Sequence, residues 1–307
     1  MQSDIKHHAV LHVIIFIWGF TAILGKLISV EAFALVWYRV IIAFVSLFVF
    51  LLFLKKKWRI TSLKNTYYIL GIGVIVALHW LFFYLAIKVS TASLAIICLS
   101  TATLHVAWLE PIVLKRKVLY SEFLLGIIIV VGILLITAQS TASNDLLGIF
   151  YGLIAALMAA MFSTFNAKMV QEETAASITL YEMFSATIVM SVLLVLFGDM
   201  NVEALAINWK DFWLLVFLGV ICTSVAFLVT VEITKFLGAF TVSLSINMEP
   251  IYTLGLAAFI LHEHRTLNWQ FYLGATIIVM AVFINAIIKQ NRKRKLKKLA
   301  NKQLSVF

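Results

Sequence analysis

Long apolar runs, separated by short polar segments, extend along the chain from about residue 12 to residue 288. Each run is 17 to 23 residues long. An α-helix rises about 1.5 Å per residue, so about 20 residues cross the hydrocarbon core of a bilayer. The pattern therefore predicts ten transmembrane helices, at His12–Ile28, Phe33–Leu54, Tyr67–Ile87, Thr91–Val113, Ser121–Ala138, Leu146–Lys168, Ser177–Phe197, Asp211–Val231, Gly238–Ile260 and Asn268–Ile288.

The composition agrees with a protein that lies almost wholly in a membrane. Of the 307 residues, 63% are hydrophobic and 12% are charged, and the mean hydropathy is +1.06. This excludes an ordinary soluble domain. It also excludes a transmembrane β-barrel, because barrel strands alternate apolar and polar residues over about 10 residues. We expect an all-α polytopic membrane protein whose short loops form no separate domain.

Positive charge is distributed unevenly between the predicted loops. If the N-terminus is cytoplasmic, the inner segments hold 19 of the 24 Lys and Arg residues and the outer loops hold 3. This bias predicts a multi-pass protein of the cell (inner) membrane with both termini in the cytoplasm. Residues 289–307 are predicted to form a basic cytoplasmic tail beside anionic lipid headgroups. Nucleic acid is not an expected partner, because the chain has no basic domain with interleaved aromatic residues.

The two halves of the chain resemble each other. A shift of 148 positions places Thr101 on Glu249, and a shift of 143 places Arg39 on Glu182. Each half then holds five predicted helices, and because five is odd, the halves must insert in opposite orientations. This is the inverted-repeat plan of secondary transporters. We therefore predict ten transmembrane helices in two inverted five-helix repeats, at residues 10–138 and 146–288.

The most unusual stretch is Ser245–Pro250, in the middle of the ninth predicted helix. An acidic residue at the centre of a bilayer costs about 2.5–3.5 kcal/mol on insertion scales. Pro250 removes a backbone donor beside Glu249 and loosens the helix. Glu249 is therefore either a pathway residue that binds a substrate ammonium group or a coupling proton, or a structural carboxylate that bonds to the backbone opened by Pro250.

Other polar residues fall at the same predicted depth. Thr101 and His79, like Glu249, lie about halfway along their helices. Helical spacing places Ser245 and Tyr252 on the face of Glu249. A polar and aromatic lining of this kind suits a cavity for a small amphipathic solute. The candidates for the substrate pathway are Glu249, Arg39, His79, Thr101, His105, Trp37, Tyr38, Trp80, Tyr84, Trp108, Ser245, Asn247 and Tyr252.

Each of these candidates also has a structural interpretation. Arg39 either binds a substrate carboxylate or forms an internal ion pair, or it contacts carbonyl groups near the outer surface. His79 is either a proton relay, since His titrates near neutral pH, or a hydrogen-bonded core residue. His105 shares a face with Thr101 and Trp108, and the aromatic candidates either line the pathway or pack. Pro250, Glu182 and Glu232 are gating or structural candidates.

Several chemistries are not expected. Cys98 and Cys222 lie inside apolar runs and are interpreted as core residues without a disulfide. The segment His262–His264 lacks the spacing of a metal motif, so we predict no metal and no cofactor. The chain has no P-loop, which argues against direct ATP drive, and no nucleophile elbow or pair of intramembrane aspartates. We therefore expect the protein not to be an enzyme.

Four short motifs stand out along the chain. They are Trp18-Gly19-Phe20, Trp37-Tyr38-Arg39, Glu249-Pro250, and Leu261-His262-Glu263 followed by Gly274. These motifs resemble those of the drug/metabolite transporter (DMT) superfamily, and within it the EamA-type transporters. The resemblance spans roughly His12 to Ile288 and implies a transporter with two five-helix repeats and cytoplasmic termini. One departure is Ala102, where the family often has a proline, so the halves are expected to differ in flexibility.

We expect a secondary active transporter that exports small metabolites, such as amino acids or related compounds, by alternating access. Its expected partners are a small organic solute, the lipid bilayer and, if transport is proton-coupled, a proton. A carrier of drugs or nucleotide-linked sugars is one alternative. A membrane-embedded lipid-modifying enzyme is another, but it would need a nucleophile or metal cluster near one surface. A scaffold without transport activity would not need Glu249, Arg39 and His79 to be buried.

Overall fold

All regular structure in the described part of the chain is helical. The computed structural model describes residues 2–56, 58–113, 120–137, 143–199, 201–237, 245–246, 248–265 and 267–304. The α-helices are α1 Gln2–Leu27, α2 Ala32–Phe53, α3 Leu63–Val89, α4 Ala92–Ser100, α5 Ala102–Val113, α6 Tyr120–Thr137, α7 Ser143–Met169, α8 Ala175–Phe197, α9 Val202–Leu205, α10 Trp209–Val216, α11 Ala226–Leu237, α12 Glu249–Ile260 and α13 Trp269–Leu304. A π-helical segment, Phe217–Val225, joins α10 to α11, and a 3₁₀ turn at Glu263–Arg265 precedes α13.

Side-chain caps explain where several helices begin. The side chains of Ser62, Thr91, Thr174 and Asn208 each accept a hydrogen bond from the backbone N–H three residues later. Each cap satisfies one of the N–H groups that a helix leaves free in its first turn. The polar residues between apolar runs thus set the starts of α3, α4, α8 and α10.

Within the described residues, seven helices are long and apolar enough to cross a membrane. They correspond to the first four and the sixth to eighth predicted helices. The apolar parts of α12 and α13 are shorter, at Glu249–Ile260 and Trp269–Ala281. The helix α13 continues to Leu304, well past the predicted end at Ile288, so the basic tail begins as a continuation of this helix. A total of ten spans stays a prediction.

Two predicted spans are interrupted near their centres. The fourth breaks at Thr101, where α4 ends and α5 begins. In the ninth, α12 begins at Glu249, although we expected Glu249 to lie within a continuous helix. Proline explains the difference, because Pro250 has no N–H to donate and its fixed φ suits the first helical turn. The interruptions fall on the residue pair, Thr101 and Glu249, that a shift of 148 superposes.

The helices of the two halves of the chain pack mainly against each other. The helix α3 packs along α7 and α8, while α2 packs along α8 and the π-helical segment. The helix α1 packs along α11 and α12, α4 and α5 pack along α7, and α6 packs along α13. The largest cluster of buried apolar residues spans this interface, from Ala22 on α1 to Ala257 on α12. The core therefore joins the halves instead of dividing them.

A carboxylate ties the halves together at one end of the molecule. The backbone N–H of Ser29 donates to both oxygens of Asp211, at 3.2 Å each, and the Ser29 hydroxyl also donates to Asp211. The amide of Asn208 donates to the same carboxylate at 3.1 Å. These bonds fix the turn between α1 and α2 to the start of α10. We call the set of Ser29, Asn208 and Asp211 the Asp211 tie.

A second carboxylate, Glu173, does the same at the opposite end. Its Oε1 accepts from the backbone N–H of Thr61 at 3.0 Å, from the Asn65 amide at 2.9 Å, and from the Thr61 hydroxyl. These bonds fix the turn between α7 and α8 to the start of α3. Each tie also uses an asparagine amide as a donor, Asn65 in the first turn of α3 and Asn208 at the N-cap of α10. We call the set of Thr61, Asn65 and Glu173 the Glu173 tie.

The Glu173 tie predicts a loss of stability in acid. Burial disfavours the charged carboxylate, but the hydrogen bonds from Asn65 and Thr61 outweigh burial and lower the pKa of Glu173 from 4.5. A depressed pKa stabilises the folded state above the unfolded pKa, and this contribution disappears as the pH falls through the folded pKa. Glu173→Gln should therefore lower the melting temperature at neutral pH, and its difference from the wild type should shrink below pH 4.5.

Thermal unfolding of the purified protein in detergent, measured as a function of pH, tests this prediction. Glu172→Gln is the control, because it neutralises the neighbouring exposed carboxylate and should leave the curve unchanged. A constant difference between Glu173→Gln and the wild type at all pH values would contradict the assignment.

Close packing between α3 and α8 gives a prediction about glycines. A Cβ added at Gly73 would lie 2.6 Å from the Glu182 carbonyl oxygen and 2.7 Å from Ser185 Cβ. A Cβ at Gly71 on the same helix would meet nothing within 4 Å. Gly73→Ala should destabilise the protein by about 1–3 kcal/mol through overpacking. Gly71→Ala should be neutral or stabilise it by about 0.5–1 kcal/mol.

Melting temperatures of the two glycine variants in detergent check this pair. The prediction requires Gly73→Ala to melt below the wild type and Gly71→Ala to melt at or above it. Equal melting temperatures for the two variants would show that α3 and α8 are not in close contact at Gly73.

Candidate functional site

The guanidinium group of Arg39 is a positive charge buried in the described core. The side chain is only 3% exposed. Its Nε donates to Thr223 Oγ1 at 3.1 Å and its Nη1 donates to the Tyr84 hydroxyl at 3.2 Å. The guanidinium carbon lies 4.0 Å from the centroid of the Trp80 ring, in a cation–π arrangement. We call Arg39, Trp80, Tyr84 and Thr223 the Arg39 cluster.

The π-helical segment presents Thr223 to this cluster. The Thr223 hydroxyl donates to Leu218 O, five residues earlier, at 2.8 Å, which leaves its oxygen to accept from Arg39. The backbone also approaches α2 closely, since a Cβ added at Gly219 would lie 2.6 Å from Ile42 Cγ2. Single-turn π segments are frequent at functional sites. Here the widened turn sets the position of an acceptor for a buried cation.

Aromatic rings extend the cluster toward α1 and α11. The Trp80 ring lies 6.3 Å from Phe227, which in turn lies 6.0 Å from Trp18, both in edge-to-face arrangements. The Trp18 indole N–H donates to Cys222 O at 3.0 Å. The cluster thus sits where α1, α2, α3 and the helix containing the π segment meet.

Glu249 is an acidic residue that interacts electrostatically with the Arg39 cluster. It lies in the first turn of α12, where the helix dipole favours a negative charge. The Arg39 guanidinium acts electrostatically on its carboxyl group. The Glu249 side chain is half-buried, and the next residue, Pro250, is buried. Arg39 on α2 and Glu249 at the start of α12 are therefore near enough in the interior for the charge of Arg39 to act on the carboxyl group.

Of the other candidates, Trp80 and Tyr84 contact Arg39 directly, whereas the His79 ring contacts α7. His79 Nδ1 lies 2.9 Å from Ala155 O on α7, and its ring stacks near Phe83 and Phe162. This is the hydrogen-bonded core interpretation, although the charge of Arg39 also acts on its ring.

The residues around the break in the fourth span divide between interior and surface. Thr101 is buried and its hydroxyl donates to Cys98 O at 2.6 Å, which caps the end of α4. His105 is half-buried and its ring lies 6.4 Å from that of Trp108. Trp108 is 45% exposed, so it lies at the surface and not with the Arg39 cluster.

Trp37 and Tyr38 make contacts between helices near the start of α2. The Trp37 indole N–H donates to the Ser191 hydroxyl at 2.9 Å, and the Tyr38 hydroxyl donates to Leu205 O at 2.8 Å. These bonds join α2 to α8 and to α9.

Two further candidates, Ser245 and Tyr252, lie near the start of α12. The Tyr252 hydroxyl lies 3.1 Å from His12 Nδ1 on α1, and Ser245 is half-buried. Asn247 lies outside the described residues, as does the side chain of Glu232 on α11. Glu182 is buried on α8, apart from the Arg39 cluster.

Sequence reasoning missed Thr223 and three capping carboxylates. Thr223 gave no signal because nothing in the sequence predicts the π-helical turn. Glu263 belongs to one of the motifs that carry the family resemblance. Its carboxylate accepts hydrogen bonds from the backbone N–H of Ala92 at 2.9 Å and of Ser93 at 3.0 Å. Asp211 was signalled by its position three residues after a capping asparagine, Asn208. These carboxylates hold helix ends and are not part of the Arg39 cluster.

A separate groove of about 420 Å³ lies between α12 and α13. Its walls are largely apolar, and neither Arg39 nor Glu249 lines it. The groove is therefore distinct from the site of these two residues. Among its lining residues are Ile251, Leu254, Ala258, Phe271, Ala275 and Val279.

The long apolar helices, with polar groups gathered among them, are those of a multi-pass membrane protein. The sequence model of the EamA-like transporter family matches residues 8–138 and again residues 146–287. The chain therefore belongs to the EamA-like transporter family, which is a family of transporters and not of enzymes.

Comparison with solved structures supports the fold. One, described only as a crystal structure of a protein, has a TM-score of 0.63 and is 13% identical in sequence. The match covers 92% of this chain and 98% of the other. At that identity the likeness concerns the fold alone. Among curated proteins, none matches the chain closely.

The Arg39 cluster gives a prediction about Thr223. Thr223→Val removes the oxygen that accepts from Arg39 Nε and leaves a buried charged donor unpaired. The loss should destabilise the protein by about 1.5–3 kcal/mol, the usual contribution of a hydrogen bond to a charged group. Thr223→Ser keeps the hydroxyl and is the matched control.

Thermal unfolding of the two Thr223 variants in detergent measures this contribution. We expect the valine variant to melt clearly below the serine variant. If both melt together, the hydroxyl does not support Arg39 and the cluster is held by Trp80 and Tyr84 alone.

Proposed function

We propose that this protein is a secondary active transporter that exports a small zwitterionic metabolite, an amino acid or a related compound, by alternating access. The observation that carries the proposal is that a basic and an acidic residue, Arg39 on α2 and Glu249 at the start of α12, interact electrostatically inside the protein. A solute with a carboxylate and an ammonium group complements that pair. Trp18 and Trp80 supply apolar surface for the rest of such a solute.

The packing supports an organisation in two inverted five-helix repeats, at residues 10–138 and 146–288. In that scheme each contact between helices has a counterpart with the repeats exchanged. The packing of α3 on α7 corresponds to that of α11 on α1, and α3 on α8 corresponds to the π segment on α2. The packing of α5 on α7 corresponds to that of α12 on α1. The pairs α2–α8 and α6–α13 correspond to themselves.

The two ties support alternating access. The Asp211 tie and the Glu173 tie join the repeats at opposite ends of the molecule, and each includes an asparagine amide as a donor. In a transporter that opens to one side at a time, one tie must loosen while the other holds. The breaks at Thr101 and Glu249 supply helix ends near the middle of the path, as in other transporters with discontinuous helices.

The charge distribution supports the orientation. With both termini in the cytoplasm of a cell with an inner membrane, the Glu173 tie lies at the cytoplasmic side and the Asp211 tie at the outer side. The basic continuation of α13 then lies beside the anionic cytoplasmic leaflet.

Metabolite release from cells tests the proposal. Cells that overexpress the protein should accumulate one class of small zwitterionic solute in the medium, detected by untargeted mass spectrometry. Glu249→Ala, expressed to the same level, should reduce this enrichment by at least about tenfold, which corresponds to 1.4 kcal/mol. Glu203→Ala removes an exposed carboxylate and should release as much as the wild type.

Other outcomes separate the parts of the proposal. Enrichment that survives in Glu249→Ala would keep the exporter and assign Glu249 a structural role. Enrichment of a drug-like or nucleotide-linked compound would replace the zwitterionic solute. The absence of enrichment from all cells, with uptake of labelled solutes also absent, would overturn the proposed export.

A further inference from the structure

Glu182 is a buried acid whose hydrogen-bonding capacity is not met by the described residues. It lies on α8, with its backbone against Gly73 of α3, and is 1% exposed. The side chain of Asn166 on α7 hydrogen-bonds with its carboxyl group. Glu182 Oε1 and Asn166 Oδ1 nevertheless have no hydrogen-bond partner among the described residues.

The chemistry of the two side chains explains this shortage. An ionised glutamate only accepts hydrogen bonds, whereas asparagine accepts at Oδ1 and donates through its amide N–H groups. Two acceptor oxygens without a donor are unfavourable in the interior. One proton on Glu182 removes the conflict, because an acid O–H can donate to an acceptor such as Asn166 Oδ1 while the Asn166 amide donates to the carboxyl group.

No described cation offers an alternative way to stabilise the ionised form. The charged and titratable groups on the packed helices have partners of their own, and a buried charge without a counter-charge is unfavourable. The side chain of Glu232 on α11 lies outside the described residues. Lys168 lies 5.5 Å from the Tyr68 ring, His79 bonds to Ala155 O, and Arg39 bonds to Thr223 and Tyr84.

We propose that Glu182 and Asn166 form a proton-binding site inside the protein, in which Glu182 is a neutral carboxylic acid at neutral pH. A shift of 143 superposes Glu182 on Arg39, so the acid and the cation occupy equivalent places in the two halves. Each lies seven residues into its helix, α8 or α2, from opposite ends of the molecule. In a transporter of the kind proposed above, such a site carries the coupling proton. That consequence rests on the proposed function, whereas the protonation state does not.

Infrared difference spectroscopy tests the site without a transported solute. Purified full-length protein in lipid vesicles is compared with Glu182→Gln, which keeps the shape and supplies a donor to Asn166. The wild type should show a carbonyl band of a protonated carboxylic acid at pH about 7 that the variant lacks. The band should persist in Glu173→Gln and shift in Asn166→Leu, which removes the amide partner.

The outcomes are decisive in either direction. A band that disappears in Glu182→Gln and shifts in Asn166→Leu supports the site, even if no solute is ever released by cells. Identical spectra for the wild type and Glu182→Gln overturn it, because Glu182 is then ionised. If Glu182→Gln does not fold, the comparison of the wild type with Asn166→Leu decides, since an unshifted spectrum excludes the acid–amide pair.

Discussion

A guanidinium group enclosed by helices constrains much of the surrounding structure. Removing Arg39 from water is unfavourable unless its donors and its charge find partners. Thr223, Tyr84 and the Trp80 ring supply them, and they come from two segments of the chain, α3 and the π-helical segment. The π-helical turn, the close approach of α2 at Gly219 and the indole bond of Trp18 all lie around this one cation.

The need of the buried Arg39 for partners also links the site to the fold. Helices that position partners for Arg39 belong to both halves of the chain, so the interior charge and the interface between the halves are one feature. Glu249 is the first residue of α12, and its carboxyl group lies where a helix N-terminus favours an anion. The interior is thus held by polar contacts at its centre and by the Asp211 and Glu173 ties at its ends.

The sequence predicted the helices and the main polar residues better than their contacts. Hydropathy and length were enough for seven of the spans, and Arg39, Trp80, Tyr84 and Glu249 were recognised as candidates because charge and aromatic groups are unusual in apolar helices. Thr223 could not be found, because a threonine in an apolar helix has no distinguishing pattern and its role depends on a π turn. Trp108 shared a helical face with Thr101, yet a face is defined relative to neighbours, and only the packing showed that Trp108 lies at the surface.

We propose that Glu249 faces a water-accessible pathway inside the membrane. The most direct measurement is the reactivity of Glu249→Cys with a membrane-impermeant thiol reagent, in protein whose buried Cys98 and Cys222 are replaced by alanine. Phe259→Cys, 83% exposed on the apolar surface of the same helix, is the comparison. If Glu249 faces such a pathway, Glu249→Cys should react with the reagent and Phe259→Cys should not. An unreactive Glu249→Cys would contradict it, because the carboxylate would then be sealed within the core.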